Sequence, residues 1–450
     1  MTTYKKLPDS TIKHTDEAVR RLRILYSDPK RQIKEVEGLL NQATEFGISA
    51  NGATSFLSKL CKHLDFLEEF SSYLLSENAS VAYLAGISLR SWREIDHARF
   101  LEYGLRFANS KRMDMAHSCA IATCYGPSLN EPCSEDAEIV AQLAKRSEAE
   151  VLVRVFDGIA RLGKVPEFQS AALQIALTVD LPDDAKVVDE YCEIFSARGM
   201  NPNTLGKDTT HKILKKIVPT RHLDGHNAGA FLHWASGAHP ELLFEFLRDR
   251  LEFYRKLKKT SEVSGYQPIP HKSRWINFNG MRATPTYPKF LVRVRDMMAE
   301  NPDERYWLVT LFWSVATVDE IAMGVLHEWL QCEDKQKFDL LLALLVEAPA
   351  GLAMMNPEFA VEVVETGARY GAESEEKATA RLVANSISYE GVRAVGTVPL
   401  QFTENQNKAA ALAEAFQPGT PGHHLFTRLA NASKHQISEI QMEDQEDLGE

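Results

Sequence analysis

The feature that most constrains this chain is a helical stripe that recurs along its length, with glycine or proline between one copy and the next. Glu241 to Lys258 shows it best. Leu243, Phe246, Leu247, Leu251, Tyr254 and Leu257 recur mostly at three- and four-residue steps, while Glu241, Glu245, Arg248, Asp249, Glu252 and Lys256 lie mainly on other sides. That spacing makes one apolar face on an α-helix. His239-Pro240 opens the helix, and Ser236-Gly237 ends the shorter apolar run Ala228 to Ala235 before it. Proline at a helix start and glycine past a helix end are the ordinary punctuation of such segments.

The same rhythm begins near the N-terminus. Asp16 to Tyr26 places Val19, Leu22 and Tyr26 on one side, Asp28-Pro29 starts the next helix, and Asn51 to Leu75 reads as a single long one. It continues through Met113 to Cys124, Glu148 to Leu162, Lys289 to Ala299, Glu304 to Val315, Pro357 to Tyr370 and Glu375 to Ile387. Roughly twenty such segments occur, and period-two strand patterns with hairpin signals are almost absent, so the predicted class is all-α with no substantial sheet. Single cores stop growing at about 250 to 300 residues, which twenty helices in a chain of 450 residues exceed. Stacked helical pairs avoid that limit, because each pair buries its stripe on the next. No fixed period of the tetratricopeptide or ankyrin kind is present. The expected architecture is therefore a HEAT-like αα-superhelix, a solenoid in which only the apolar stripe repeats.

Residues 1–15 are read as a polar tail, 16–259 as an N-terminal helical array, 260–288 as an irregular insertion, 289–440 as a second array and 441–450 as an acidic disordered tail. No apolar run reaches the roughly 18 residues a membrane helix needs. The start, MTTYKKLPDS, has no apolar segment, so a cytoplasmic location is the default expectation. The formal net charge of -11 argues against generic nucleic-acid binding, with Lys207, Lys212, Lys215, Lys216 and Arg221 the best candidates for a local basic face. Six cysteines without CxxC spacing argue against a structural zinc site or a disulfide framework.

Several motifs have to be weighed against plainer readings. Gly158 to Lys164 matches the first seven positions of a P-loop, but Val165 replaces the hydroxyl residue that would hold magnesium. Val151, Leu152, Val155, Ile159 and Leu162 run a helical stripe straight through its first glycine, so a capped helix is the preferred account. His222 and His226 are four apart, as metal ligands on one helix face would be, yet Leu223, Asp224 and Gly225 between them favour a turn. His327-Glu328 is a lone pair and reads as structural, and Trp307, Trp313 and Trp329 read as core anchors. Carboxylate pairs such as Glu68-Glu69 and Glu375-Glu376 fall on charged helix faces. No catalytic, metal or cofactor site is expected from these motifs.

The insertion 260–288 is the strongest functional candidate, because long irregular segments inside compact folds are often binding loops. Tyr266, Trp275 and Phe278 are its candidate partner-binding residues. The alternative is that the segment packs across the helices and buries its rings there.

Two stretches resemble a known family. One is the Leu- and Phe-rich helix from Leu242 followed by Tyr266-Gln267-Pro268-Ile269-Pro270. The other holds Val395-Gly396-Thr397-Val398-Pro399-Leu400, the Ala-rich helix Ala409 to Phe416, Gly419-Thr420-Pro421 and Leu425-Phe426-Thr427-Arg428-Leu429. Together they resemble the C-terminal helical-repeat regions of bacterial STAND NTPases, signal-transducing ATPases that include antiviral defence sensors. The resemblance implies an array that binds a foreign protein, while nucleotide binding and effector activity reside in other modules. This chain has no intact P-loop and no evident effector domain, so it implies a stand-alone sensor subunit or the end of a longer protein. The expected function is a non-enzymatic protein-binding scaffold or sensor arm that recognises a foreign, phage-type protein. The competing expectation is an enzyme on a HEAT-like array, either a DNA-repair glycosylase or a metal-dependent hydroxylase.

Overall fold

The computed structural model describes residues 9–45, 51–124, 131–270, 278–387 and 400–448. Among these residues the chain is all-helical, with twenty-three α-helices and no strand. The chain divides into two compact units, Met1–Phe231 and Leu232–Glu450.

In the first unit the helices are α1 (Asp9–Leu25), α2 (Pro29–Glu45), α3 (Asn51–Leu60), α4 (Leu64–Leu74), α5 (Ala85–Ile95), α6 (His97–Ala108), α7 (Met113–Cys124), α8 (Ser134–Leu143), α9 (Ala149–Leu162), α10 (Gln169–Thr178), α11 (Ala185–Glu193) and α12 (Lys207–Ile217). The division between units falls inside α13 (His226–Ala238). The second unit continues with α14 (Pro240–Thr260), α15 (Tyr287–Glu300), α16 (Arg305–Val315), α17 (Glu320–Gln331), α18 (Lys335–Leu344), α19 (Leu352–Met355), α20 (Pro357–Arg369), α21 (Ala372–Ser386), α22 (Leu400–Ala415) and α23 (Pro421–Leu448).

Within the first unit a helix packs on its neighbour and often on its next-but-one neighbour: α1 on α3, α2 on α4, α5 on α7, α6 on α8, α7 on α9, α9 on α11. In the second unit α15 packs on α17, α16 on α18, α18 on α21 and α19 on α21. Polar ties follow the same step. Tyr73 to Glu37, Arg146 to Ser110 and Lys216 to Val179 join residues 36, 36 and 37 apart. Tyr287 to Asp319, Trp313 to Leu344 and Asn385 to Ala348 join residues 32, 31 and 37 apart.

Gly158 shows how closely these layers meet. A Cβ there would lie 2.7 Å from the Cys124 sulfur, so the glycine of the P-loop-like run lets α9 lie flush on α7. The whole run up to Leu162 is helix, with Gly163 as its C-cap.

Several sequence expectations change in detail. Asn51 to Leu75 is two helices, because His63 takes an extended backbone (φ -95, ψ 118) and caps α4. The expected polar tail is helical from Asp9, and the expected acidic tail is helical through Leu448, where Gln, Met, Glu and Leu are good helix formers. Gly237 does not stop its helix, which runs on to Ala238. It sits where the backbone of Gly280 crosses, and a Cβ on Gly280 would meet Gly237 N and His233 O at 2.8 Å each.

The insertion 260–288 belongs to the second unit together with α14. The helix ends at Ser261, which adopts a left-handed backbone (φ 61) while Glu262 N–H returns to Leu257 O at 3.0 Å. Arg250, fully buried, then gathers the segment: its Nε donates to Pro268 O at 3.0 Å, it also donates to Gln267 O, and its guanidinium lies 4.6 Å from the Tyr266 ring centre. Ile269, Phe278 and Met281 are completely buried. On the far side Tyr287 donates to Asp319 at 2.7 Å, closing the segment onto the start of α17.

Candidate protein-binding groove

The last turns of α14 carry Tyr254, Arg255, Lys258 and Lys259, and opposite them run the end of α15 and the turn Pro302–Glu304. Between them lies a groove of about 550 Å³ lined by Tyr254, Arg255, Lys258, Asp303 and Glu304 among others. One wall is pinned by charge. Arg255 forms a two-pronged pair with Glu304, whose Oε2 lies 2.7 Å from Nη2, and Glu304 is nearly buried. The hydrogen bond to Glu304 raises the Arg255 guanidinium above its ordinary value against the effect of burial.

Beside this pair three aromatic rings meet. Tyr254 and Trp307 pack edge to face with centres 6.0 Å apart, and Tyr306 packs on Trp307 at 4.9 Å. Tyr306 is 57% exposed, and Tyr254 and Trp307 are half-buried. Edge-to-face rings with exposed area are what interface hot spots are made of, because large rigid rings bury much surface at little entropic cost. Lys258 and Lys259 are exposed at the rim.

The rings singled out from sequence lie elsewhere. Tyr266 is 3% exposed and packs on Phe253 at 5.3 Å, Phe278 is fully buried, and Trp275 lies outside the described residues. For Tyr266 and Phe278 the structure shows the packing alternative. Trp313 and Trp329 are core anchors, Trp313 donating to Leu344 O at 2.6 Å, whereas Trp307 keeps an open face. Tyr254 sits on the α14 stripe just beyond its last fully buried residue, Leu251. Its neighbours Lys258 and Lys259 were the signal available in the sequence that this end of the stripe is not covered.

Of the basic candidates on and after α12, Lys216 donates to Val179 O at 2.6 Å and Arg221 pairs with Asp183 at 2.7 Å. Burial lowers the Lys216 ammonium below its ordinary value. His226 is the first residue of α13 and His222 precedes it in irregular backbone, so the two do not share a helix face. His327 lies 3.4 Å from Glu362, and Glu328 accepts from Arg295 at 2.6 Å, so both tie neighbouring helices together.

Acidic pairs behave in two ways. Glu376 accepts from Arg428 at 2.6 Å, which holds its carboxyl below the usual range. Asp157 and Glu190 line a cavity of about 270 Å³ between α9 and α11 with Glu193, Arg161, Lys164 and Arg198. Burial raises Asp157, and burial together with a hydrogen bond to Glu193 raises Glu190.

Among the described residues no helix is long and apolar enough to cross a membrane. The chain matches no protein-family model, no curated protein and no solved structure.

Proposed function

We propose that the chain is a non-enzymatic protein-binding module whose two units are each built as HEAT-like stacks of helical layers. Support for the stacking comes from the next-but-one helix packing and from polar ties many of which span 30 to 43 residues. That span is close to the length of one helical pair in known helical repeats. The binding site is the groove at Tyr254 together with the adjoining rings of Trp307 and Tyr306, and the observation that carries it is the aromatic cluster with Tyr306 more than half exposed. The partner is a protein segment that offers apolar side chains to the rings and acidic groups to Lys258 and Lys259. The resemblance to sensor arms of STAND-type defence proteins points to a foreign protein, such as one made by a phage.

Binding to a protein fixes the test. The chain and its Tyr306→Ala/Trp307→Ala variant are used as bait in phage-infected and uninfected bacterial cells, and recovered proteins are then titrated individually. A partner that binds the original chain and loses affinity by about tenfold or more with the variant supports the reading. Recovery of no partner in either condition, or equal binding to both baits, overturns it.

A further inference from the structure

We propose that His97, Cys133 and Glu135 form a binding site for a divalent transition-metal ion of the zinc type. Their ligand atoms all lie within 4.8 Å of one another, and they are the group of His, Cys and carboxylate donors among the described residues that is close enough to share an ion. The His97 Nδ1 to Glu135 Oε2 separation is 3.8 Å. Two nitrogen or oxygen ligands on a tetrahedral zinc ion stand roughly 3.3 Å apart, so a small side-chain rotation closes the set. Imidazole, thiolate and carboxylate are the donors that zinc takes.

The donors are placed by helices. His97 is the first residue of α6, Cys133 immediately precedes α8, and Glu135 is the second residue of α8. The two helices pack on each other. Cys133 is held by Asp136, whose Oδ2 accepts its backbone N–H at 3.0 Å and its thiol at 3.3 Å. Asp136 is fully buried and paired with Arg93, so this support does not swing. A site on rigid elements with a hydrogen-bonded outer shell keeps its geometry without the ion.

Charge also fits. A thiolate and a carboxylate together neutralise a dication, with a neutral imidazole as third donor. When the metal–sulfur bond forms, the S–H bond breaks and its proton passes to solvent, while Asp136 keeps Arg93 and the Cys133 N–H. His97 is 55% exposed, so a fourth position faces water. Three protein ligands with an open fourth position are the arrangement that leaves a bound water or an exchangeable ligand on the ion.

The full chain titrated with Co²⁺ tests this, because cobalt bound to a thiolate gives a near-ultraviolet charge-transfer band that aqueous cobalt lacks. The expected result is one equivalent of cobalt with that band, displaced by Zn²⁺. Cys133→Ser keeps a side chain that caps α8 well, and it abolishes the band. His97→Ala, a change at an exposed position, weakens binding by about tenfold or more. Cys332→Ser, which removes the exposed cysteine, changes nothing. Absence of the band at saturating cobalt, or a band that survives Cys133→Ser and vanishes with Cys332→Ser, overturns the assignment.

Discussion

Two neighbouring residues on α14 face different surroundings. Phe253 meets Tyr266, and that ring is sealed under Arg250 and the carbonyls of Gln267 and Pro268. Tyr254 meets Trp307, and there the cluster stays open, with Tyr306 exposed beside it. One flank has spent its aromatic surface on folding; the other still has surface to give to a partner. The difference teaches that an irregular, aromatic-rich segment is not by that fact a binding loop. What decides is whether a buried polar group gathers it back onto the helices, as Arg250 does.

Substitutions on the sealed flank should have the largest effect on stability. Phe278→Ala is expected to cost about 3–5 kcal/mol, because a fully buried ring leaves a cavity. Arg250→Met keeps much of the volume but strands the carbonyls of Gln267 and Pro268, for a cost of about 3 kcal/mol. Denaturant unfolding followed by circular dichroism measures both, and a loss under about 1 kcal/mol in both would break the comparison.

On the open flank the order reverses. Tyr306→Ala is expected to change stability by less than about 1 kcal/mol while weakening partner binding by about 2 kcal/mol. A Tyr306→Ala chain that unfolds as readily as Phe278→Ala would show that both flanks are core.

Acid sharpens the comparison at the edge of the insertion. Burial opposes ionisation of Asp319, but Ala322 N–H and the hydroxyls of Tyr287 and Thr317 outweigh it and hold the carboxyl below its ordinary value. A carboxyl depressed in the folded state contributes stability above its unfolded value of about 3.9, and that contribution is lost as pH falls through the folded value. Asp319→Asn is therefore expected to lower stability at neutral pH and to flatten its decline below about pH 4. Melting curves between neutral and acidic pH check this, and an unchanged acid slope would remove Asp319 from the clamp. The smallest effect is expected at Ser261, whose φ of 61 suits glycine. Ser261→Gly is expected to stabilise by about 0.5–1 kcal/mol, read as a small rise in Tm.

Most of the helices were legible, because an apolar stripe broken by Gly or Pro needs only local information. Met113–Cys124 and the start of α14 at Pro240 are placed by the sequence at the residues where the structure has them. The glycines were less legible. Gly237 carries a stop signal that the structure overrides, and the close approach there demands its glycine at Gly280, where a Cβ would meet Gly237 N and His233 O at 2.8 Å. The polar ties between helices mark no fixed period, since their spans differ widely, as from 30 residues at Arg295–Val325 to 52 at Arg428–Glu376. The open rings were not legible because Tyr254 and Trp307 both look like core positions on their own helices. Neither sequence pattern says that their outer faces remain uncovered.

The sequence by itself determined that the regular structure of the described residues is helical, since periodicity, caps and breakers act within a turn or two. Only the tertiary structure decided which rings are covered, because coverage depends on residues such as Arg250 and Gln267 that lie apart in sequence and meet only in the fold. It likewise brought His97 to Cys133 and Glu135, through the packing of α6 on α8. Local spacing fixes the face a residue occupies; what stands opposite that face is set by how the helices pack.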